Sequence, residues 1–190
     1  ILCFRCVSAT LLRLSSHEDI IEFSKHSTKP VINALSDESH PCQILADLMT
    51  FQEQRGAIKG KKIAWIGDGC NVCQTYMQAV NIFDFSLSIA TPKGYEPSQS
   101  YVDKYQNNIE YFNKPLDACI DADIIVTDVW TSMGQESEQK ERELAFKGFQ
   151  VDKEMMSKAK NDVIFMHCLP AYRGKEVSAD VIDGKQSVIW

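Results

Sequence analysis

The sequence predicts an α/β fold: a doubly wound, Rossmann-like parallel sheet with helices on both faces, preceded by the remnant of another α/β unit. Three observations carry this. Apolar runs of strand length alternate with helical patterns along the chain. The runs at 62–66, 124–127 and 163–167 are almost continuously apolar, as strands covered on both faces are. Polar clusters follow these runs directly, where an open parallel sheet places its ligands.

The elements follow in order. Residues 11–14 and 30–33 form short strands. Between them a helix over 16–25 opens on Ser16-His17-Glu18-Asp19, where acidic groups complement the positive end of the helix dipole. Ile44, Leu45, Leu48, Met49 and Phe51 recur at near-helical spacing and predict a helix over 40–54. Pro41 suits its first turn, where a missing N–H costs nothing, and Gly56 and Gly60 end it. Strands are then expected at 62–66, 85–90, 109–112, 124–127 and 163–167. Helices are expected at 71–82, 98–107, 116–121, 140–149 and 151–160, with strand-like residues again at 187–189. The charged run 136–143 is read as a solvated face. Residues 1–37 form the tail of one α/β domain, 38–55 an interdomain helix, and 56–190 a second domain.

Composition narrows the function classes. The 190 residues are 44% hydrophobic and 24% charged, as in a soluble globular protein. A net charge of −6 leaves no basic footprint for nucleic acid. No apolar run approaches the roughly 18 residues that suggest a membrane span. Residues 1–7 lack the basic start and small-residue cleavage site of a signal peptide. The seven cysteines are odd in number and scattered, which fits reduced thiols in a cytoplasmic protein better than a disulfide framework. No Cys/His grouping has zinc-finger spacing, so no structural metal is expected. The chain has no initiator Met and stops straight after a strand-like segment, which suggests a fragment.

Four clusters are candidates for chemistry: His40-Pro41-Cys42-Gln43, Gly67-Asp68-Gly69-Cys70-Asn71, the segment from Thr127 to Gly134, and His167-Cys168-Leu169-Pro170. Each has a plain alternative. Gly67-x-Gly69 lacks the third glycine of a dinucleotide fingerprint, since Val72 holds its place, and can be only a tight turn. Asp128 can be a loop acid, Cys168 an inert small hydrophobe and His40 a helix cap. Cys70-x-x-Cys73 at a helix start has the spacing of a redox pair, without a thioredoxin-like setting.

Taken together, the clusters resemble the ornithine carbamoyltransferase family. The matching stretches are His40-Pro41-Cys42-Gln43-Ile44-Leu45-Ala46-Asp47, Trp65-Ile66-Gly67-Asp68-Gly69, Ala90-Thr91-Pro92-Lys93-Gly94-Tyr95-Glu96-Pro97, Asp128-Val129-Trp130-Thr131-Ser132-Met133-Gly134-Gln135 and His167-Cys168-Leu169-Pro170. The resemblance runs from about residue 13 to the end. It implies that residues 1–37 are a remnant of a carbamoyl-phosphate domain and that 56–190 bind ornithine. It implies attack of the ornithine side-chain amine on carbamoyl phosphate, giving citrulline and phosphate, with no cofactor and no metal. By the same resemblance, Arg13, His40 and Gln43 would hold the carbamoyl phosphate. Asn71 would bind the α-carboxylate of ornithine, Asp128 and Ser132 its α-amino end, and Met133 would line the pocket. Cys168 and Leu169 would flank the attacking amine. A donor such as His40 or Arg13 stabilises charge developing on the carbonyl oxygen, and Cys168 and Asp128 are the groups placed to favour the neutral amine. The implied parent enzyme is a cytoplasmic homotrimer.

Departures from the family pattern limit this expectation. The family's Ser-Thr-Arg-Thr phosphate motif and its closing helix are absent from the 190 residues, residues 1–12 match poorly, and Cys70 stands where a second Asn is usual. The chain alone is therefore expected to be inactive. Three other readings remain: a carbamoyltransferase for another amine such as putrescine, a Rossmann-type dehydrogenase domain, and a non-catalytic amino-acid-binding module. The dehydrogenase needs an acid ending the strand at 85–90, where Thr91-Pro92-Lys93 stands instead.

Overall fold

The computed structural model describes residues 7–131 and 136–190. Its first unit is a two-stranded parallel sheet of β1 (Thr10–Arg13) and β2 (Val31–Leu35), joined through α1 (His17–His26). The Ser16 hydroxyl accepts the Asp19 N–H at 3.1 Å and caps α1, with Glu18 and Asp19 in the first turn. Helix α2 (Pro41–Arg55) begins with Pro41 and ends at Gly56, whose φ of +87° places it in the left-handed region that favours glycine.

The second unit is a five-stranded, wholly parallel sheet of β3 (Lys62–Ile66), β4 (Ser86–Ala90), β5 (Ile109–Phe112), β6 (Ile124–Thr127) and β7 (Ile164–His167). Helices α3 (Asn71–Phe83), α4 (Gln99–Lys104), α5 (Pro115–Ala118), α6 (Gln139–Ala145), α7 (Lys153–Lys158) and α8 (Ala179–Ile182) complete it. The spatial order is β5-β4-β3-β6-β7. The chain lays strands outward from β3, then returns to its other side with β6. That reversal is a topological switch point, and it opens a crevice beyond the carboxyl ends of β3 and β6.

The sheet divides the core by simple alternation. Ile63, Trp65, Ile124, Val126, Ile164 and Met166 face α2 and α3, where they pack on Leu48, Phe51, Tyr76 and Met77. Ala64, Ile66, Ile125 and Phe165 face the other way, onto Phe146, Val151, Met155, Val181 and Ile182. Burying each large side chain contributes about 1.5–3 kcal/mol before chain entropy is subtracted. Three hydrogen bonds tie the first unit to α3: the His40 N–H to Thr75 Oγ1 at 2.8 Å, Asn71 Nδ2 to the Ser36 carbonyl at 2.6 Å, and Gln74 Nε2 to the Glu38 carbonyl at 3.3 Å.

Several expected elements are trimmed by local chemistry. The helix expected over 98–107 stops at Lys104, and Asn108 follows with a φ of +59°. The helix expected over 140–149 ends at Ala145, before Gly148 at a φ of +93°. The helix expected over 151–160 starts later: Val151 bridges Val177, and the Asp152 carboxylate caps Met155 N–H at 3.0 Å. Ser187 makes a single bridge to Phe165 in place of a strand. The short α8 has no counterpart in the expected elements. The charged run 136–143 is not wholly solvated, because Arg142 is buried. Among the described residues, no helix is long and apolar enough to cross a membrane.

Candidate active site

The crevice gathers the clusters that the sequence singles out, because each follows a strand of one parallel sheet or starts the helix lying against it. Asp128 leaves the end of β6, and His167 and Cys168 leave the end of β7. Gly67 to Asn71 leave β3, and His40 and Gln43 open α2. Gly67 turns with a φ of +142°, and Thr127 Oγ1 donates to the Ile66 carbonyl beneath it. Gly69 answers a different need. A Cβ there would lie 2.2 Å from Pro97 N and 2.4 Å from Glu96 C. The loop after β3 is thus packed against the backbone at Glu96 and Pro97, and Gly69 serves that packing while Gly67 serves the turn.

Asp128 is the centre of the crevice. Its Oδ1 accepts the Val129 N–H at 2.7 Å, and Cys70 Sγ lies 3.8 Å from its Oδ2. The Cys168 Sγ lies within 4.8 Å of its carboxylate. Burial pushes the Asp128 carboxyl up, against the opposing pull of Cys168 and His167. Burial and the Asp128 charge raise the Cys168 thiol well above its ordinary range, so it stays protonated. Burial and Asp128 do the same to Cys70, and burial to Cys73. This is the opposite of the lowered thiol that a redox pair at a helix start needs. Asp128, His167 and Cys168 each place a ligand atom within 4.8 Å of the others, the trio nearest to a metal-binding group among the described residues.

A second network lies at the start of α2. Gln43 Nε2 donates to Asp47 Oδ1 at 2.8 Å, and the Tyr76 hydroxyl donates to Asp47 Oδ2 at 2.6 Å. Burial raises the Asp47 carboxyl to about 6, despite these donors. Because the folded state holds this proton more tightly than the unfolded chain, stability falls as pH rises from about 4 to about 6. The change is on the order of 3 kcal/mol. Asp47→Asn is expected to flatten that slope, read by urea unfolding between pH 4 and 8. An unaltered slope refutes the assignment.

His40 lies partly buried near Arg13. Burial first, then the Arg13 charge, lowers its imidazole, with a hydrogen bond to Ala34 opposing them. It is therefore neutral at pH 7, with Nδ1 buried and unpartnered among the described residues. Arg13 is exposed at the end of β1. Asn71 gives one amide hydrogen to Ser36, and its Oδ1 accepts the Val72 N–H at 2.9 Å. Its second amide hydrogen has no acceptor among the described residues. Leu169 is exposed beside Cys168. Ser132 and Met133 lie outside the described residues.

Other groups here carry no role in the sequence reading. Arg142 of α6 donates from Nη1 to Asp68 Oδ2 at 2.7 Å and to the Trp130 carbonyl at 2.9 Å, and its guanidinium stacks 4.9 Å from the Tyr95 ring. It hides in the charged run, yet Ala145, Phe146 and Phe149 lie three, four and seven residues on, which is the spacing of one buried helix face. Glu176 lies buried 3.3 Å from His167. No local pattern marks Tyr76, whose partner Asp47 is 29 positions away.

The crevice thus has two electrical ends. Asp68 and Asp128 are buried carboxyl groups, and Arg142 is the buried cation paired with Asp68. A carboxylate kept from water needs a cationic or donor partner, which makes the Asp128 end receptive to an ammonium group. Arg13 and His40 form a donor-rich end suited to an anion or a polarised carbonyl.

Comparison with known proteins identifies two domain matches along the chain. Residues 59–190 match the aspartate/ornithine carbamoyltransferase Asp/Orn-binding domain, and residues 2–53 match the carbamoyl-phosphate-binding domain of that family. The chain is 57% identical over 184 residues to an ornithine carbamoyltransferase of Ruthia magnifica, covering 97% of this chain and 62% of the relative. It is 53% identical over 187 residues to that of Nitrosomonas europaea, covering 98% and 61%. The solved ornithine carbamoyltransferase from Pyrococcus furiosus superposes with a TM-score of 0.92 at 47% identity, covering 98% of this chain and 62% of that one. The Burkholderia thailandensis structure gives 0.90 at 45%, covering 98% and 61%. The chain spans about three-fifths of the length of these relatives. With both of the family's domain models matched across almost all of its residues, this chain belongs to the aspartate/ornithine carbamoyltransferase family.

Proposed function

We propose that this chain provides the ornithine half, and part of the carbamoyl-phosphate half, of an ornithine carbamoyltransferase. The observation that carries the reading is the two-ended crevice, with the buried Asp128 at one end and Arg13 and His40 at the other. The ornithine Nδ attacks the carbonyl carbon, a C–N bond forms, the carbon–oxygen bond to phosphate breaks, and the amine's proton leaves on the departing phosphate. His40 and Gln43 hold the carbamoyl group, and Arg13 offsets charge growing on its oxygen. Asn71 takes the α-carboxylate through its second amide hydrogen. Asp128 and Ser132 take the α-amino group, with Met133 lining the pocket. Cys168 and Leu169 lie beside the attacking amine. The Cys168 thiol, held protonated, acts as a donor that orients Asp128. Holding two substrates in line supplies much of the rate, so both half-sites are needed.

Residues 1–37, 38–55 and 56–190 act in this reading as carbamoyl-phosphate remnant, interdomain helix and ornithine domain. Assembly as a homotrimer in the cytoplasm rests on the resemblance alone.

Citrulline formation from ornithine and carbamoyl phosphate tests the reading, with putrescine as the competing acceptor. In the full-length protein containing this sequence, ornithine is expected to be the better acceptor, and a preference for putrescine overturns it. The 190-residue chain alone is expected to bind ornithine yet form little citrulline. Cys168→Ala is expected to lower kcat/KM for ornithine about ten-fold, as loss of a hydrogen bond to a charged group does. Its unfolding midpoint should hardly move. Unchanged kinetics with lost stability would instead mark Cys168 as a packing residue.

A further inference from the structure

The Asp47 network has a consequence for substrate recognition, and it rests on the carbamoyl-transfer reading. Gln43 and Asp47 are four residues apart on α2, so their side chains meet on one face of the helix. Asp47 Oδ1 faces the Gln43 amide at 2.8 Å, while its Oδ2 already accepts the Tyr76 hydroxyl at 2.6 Å. An ionised carboxylate only accepts hydrogen bonds. Gln43 must therefore turn its NH2 toward Asp47, and that leaves Oε1 as the end available to a ligand. Oε1 has no hydrogen-bond partner among the described residues. Tyr76 is 1% exposed and packed in the core under β3, so the reference point for this orientation is rigid.

We propose that Asp47 is a positioning residue that fixes the flip state of the Gln43 amide, so that Gln43 Oε1 accepts an N–H from the amide of the carbamoyl donor. Gln43 then distinguishes an acyl phosphate bearing NH2 from one bearing CH3. With the amide reversed, two NH2 groups face each other, and neither finds an acceptor. A buried unpaired donor is costly, whereas a methyl group is indifferent to the flip.

Carbamoyl phosphate and acetyl phosphate are the two probes, titrated into the full-length protein containing this sequence. Asp47→Ala is expected to weaken carbamoyl phosphate binding about ten-fold and acetyl phosphate less than about two-fold, because the lost contact is made only by the NH2. Equal weakening of both overturns the proposal, since collapse of the site affects both alike. Gln43→Leu should cause the same selective loss, and little more when added to Asp47→Ala. Full additivity of the pair overturns the proposal, because it means the two side chains act independently. If Asp47→Ala does not fold, Asp47→Asn keeps the volume and decides the question. Its Oδ1 takes the Tyr76 hydrogen and its NH2 faces Gln43, which reverses the glutamine, so the carbamoyl preference should fall without loss of the fold. A retained preference in Asp47→Asn refutes the role. Should the unsubstituted protein bind neither acyl phosphate, the carbamoyl-transfer reading fails, and the inference fails with it.

Discussion

Arg142→Met is expected to destabilise the protein by about 3–5 kcal/mol, the range seen when one partner of a buried ion pair is removed. Arg142 is 6% exposed and Asp68 8% exposed, so water does not replace the lost guanidinium. The Asp68 carboxyl, already raised by burial against the pull of Arg142, is raised further once that pull is gone. It then folds protonated, whereas the unfolded chain holds it ionised at pH 7. The deficit should therefore grow with pH above about 4 and shrink in acid. Urea unfolding at pH 5 and pH 8 checks this, and a pH-independent deficit contradicts it. Asp68→Asn added to Arg142→Met should recover part of the loss, because the charge then left without Arg142 is that of the exposed Glu138, not a buried one. The functional effect follows from the second bond of Arg142, to the Trp130 carbonyl two residues beyond Asp128. Loosening that loop should raise KM for ornithine in the full-length protein and leave KM for carbamoyl phosphate almost unchanged.

Gly69→Ala is expected to cost about 3 kcal/mol or more, at the upper end for overpacking. The added Cβ meets Pro97 N at 2.2 Å, Glu96 C at 2.4 Å and Pro97 Cδ at 2.7 Å. Two of these atoms belong to backbone, and the Gly69 N–H is hydrogen-bonded to the Tyr95 carbonyl at 2.8 Å, so neither segment has an easy path away. Gly94→Ala is the control. Gly94 has a φ of +88° and open space around it, so that change costs only the left-handed strain of about 1–2 kcal/mol. Thermal unfolding of the two variants separates close packing from backbone strain. Equal losses contradict the steric account.

Much of the fold was legible because its strands are covered on both faces. The residues 62–66 and 124–127 announce themselves by continuous apolar character, and only burial within a parallel sheet accommodates that. Element ends were less legible. Helix α4 stops at Lys104, where Tyr105 already leaves the helical conformation, and Val151 is claimed by a bridge to Val177, a partner invisible to a local window. The site divides the same way. His40, Gln43, Asp128 and Cys168 follow strands or open a helix, so their meeting is a consequence of topology. Arg142, Tyr76 and Glu176 acquire their meaning from partners at distances of 74, 29 and 9 positions.

The order of elements, the parallel sheet, the family resemblance and the principal crevice residues were set by local pattern and by spacing along the chain. Apolar periodicity and turn chemistry act over a few residues and are written in them. Only the tertiary structure decided which buried charges are paired, that burial and Asp128 raise the Cys168 thiol, and that Gln43 is hydrogen-bonded to Asp47. Those are properties of distance and burial in space. Burial in a medium of low polarity turns each such proximity into a shift of charge state or a fixed hydrogen bond.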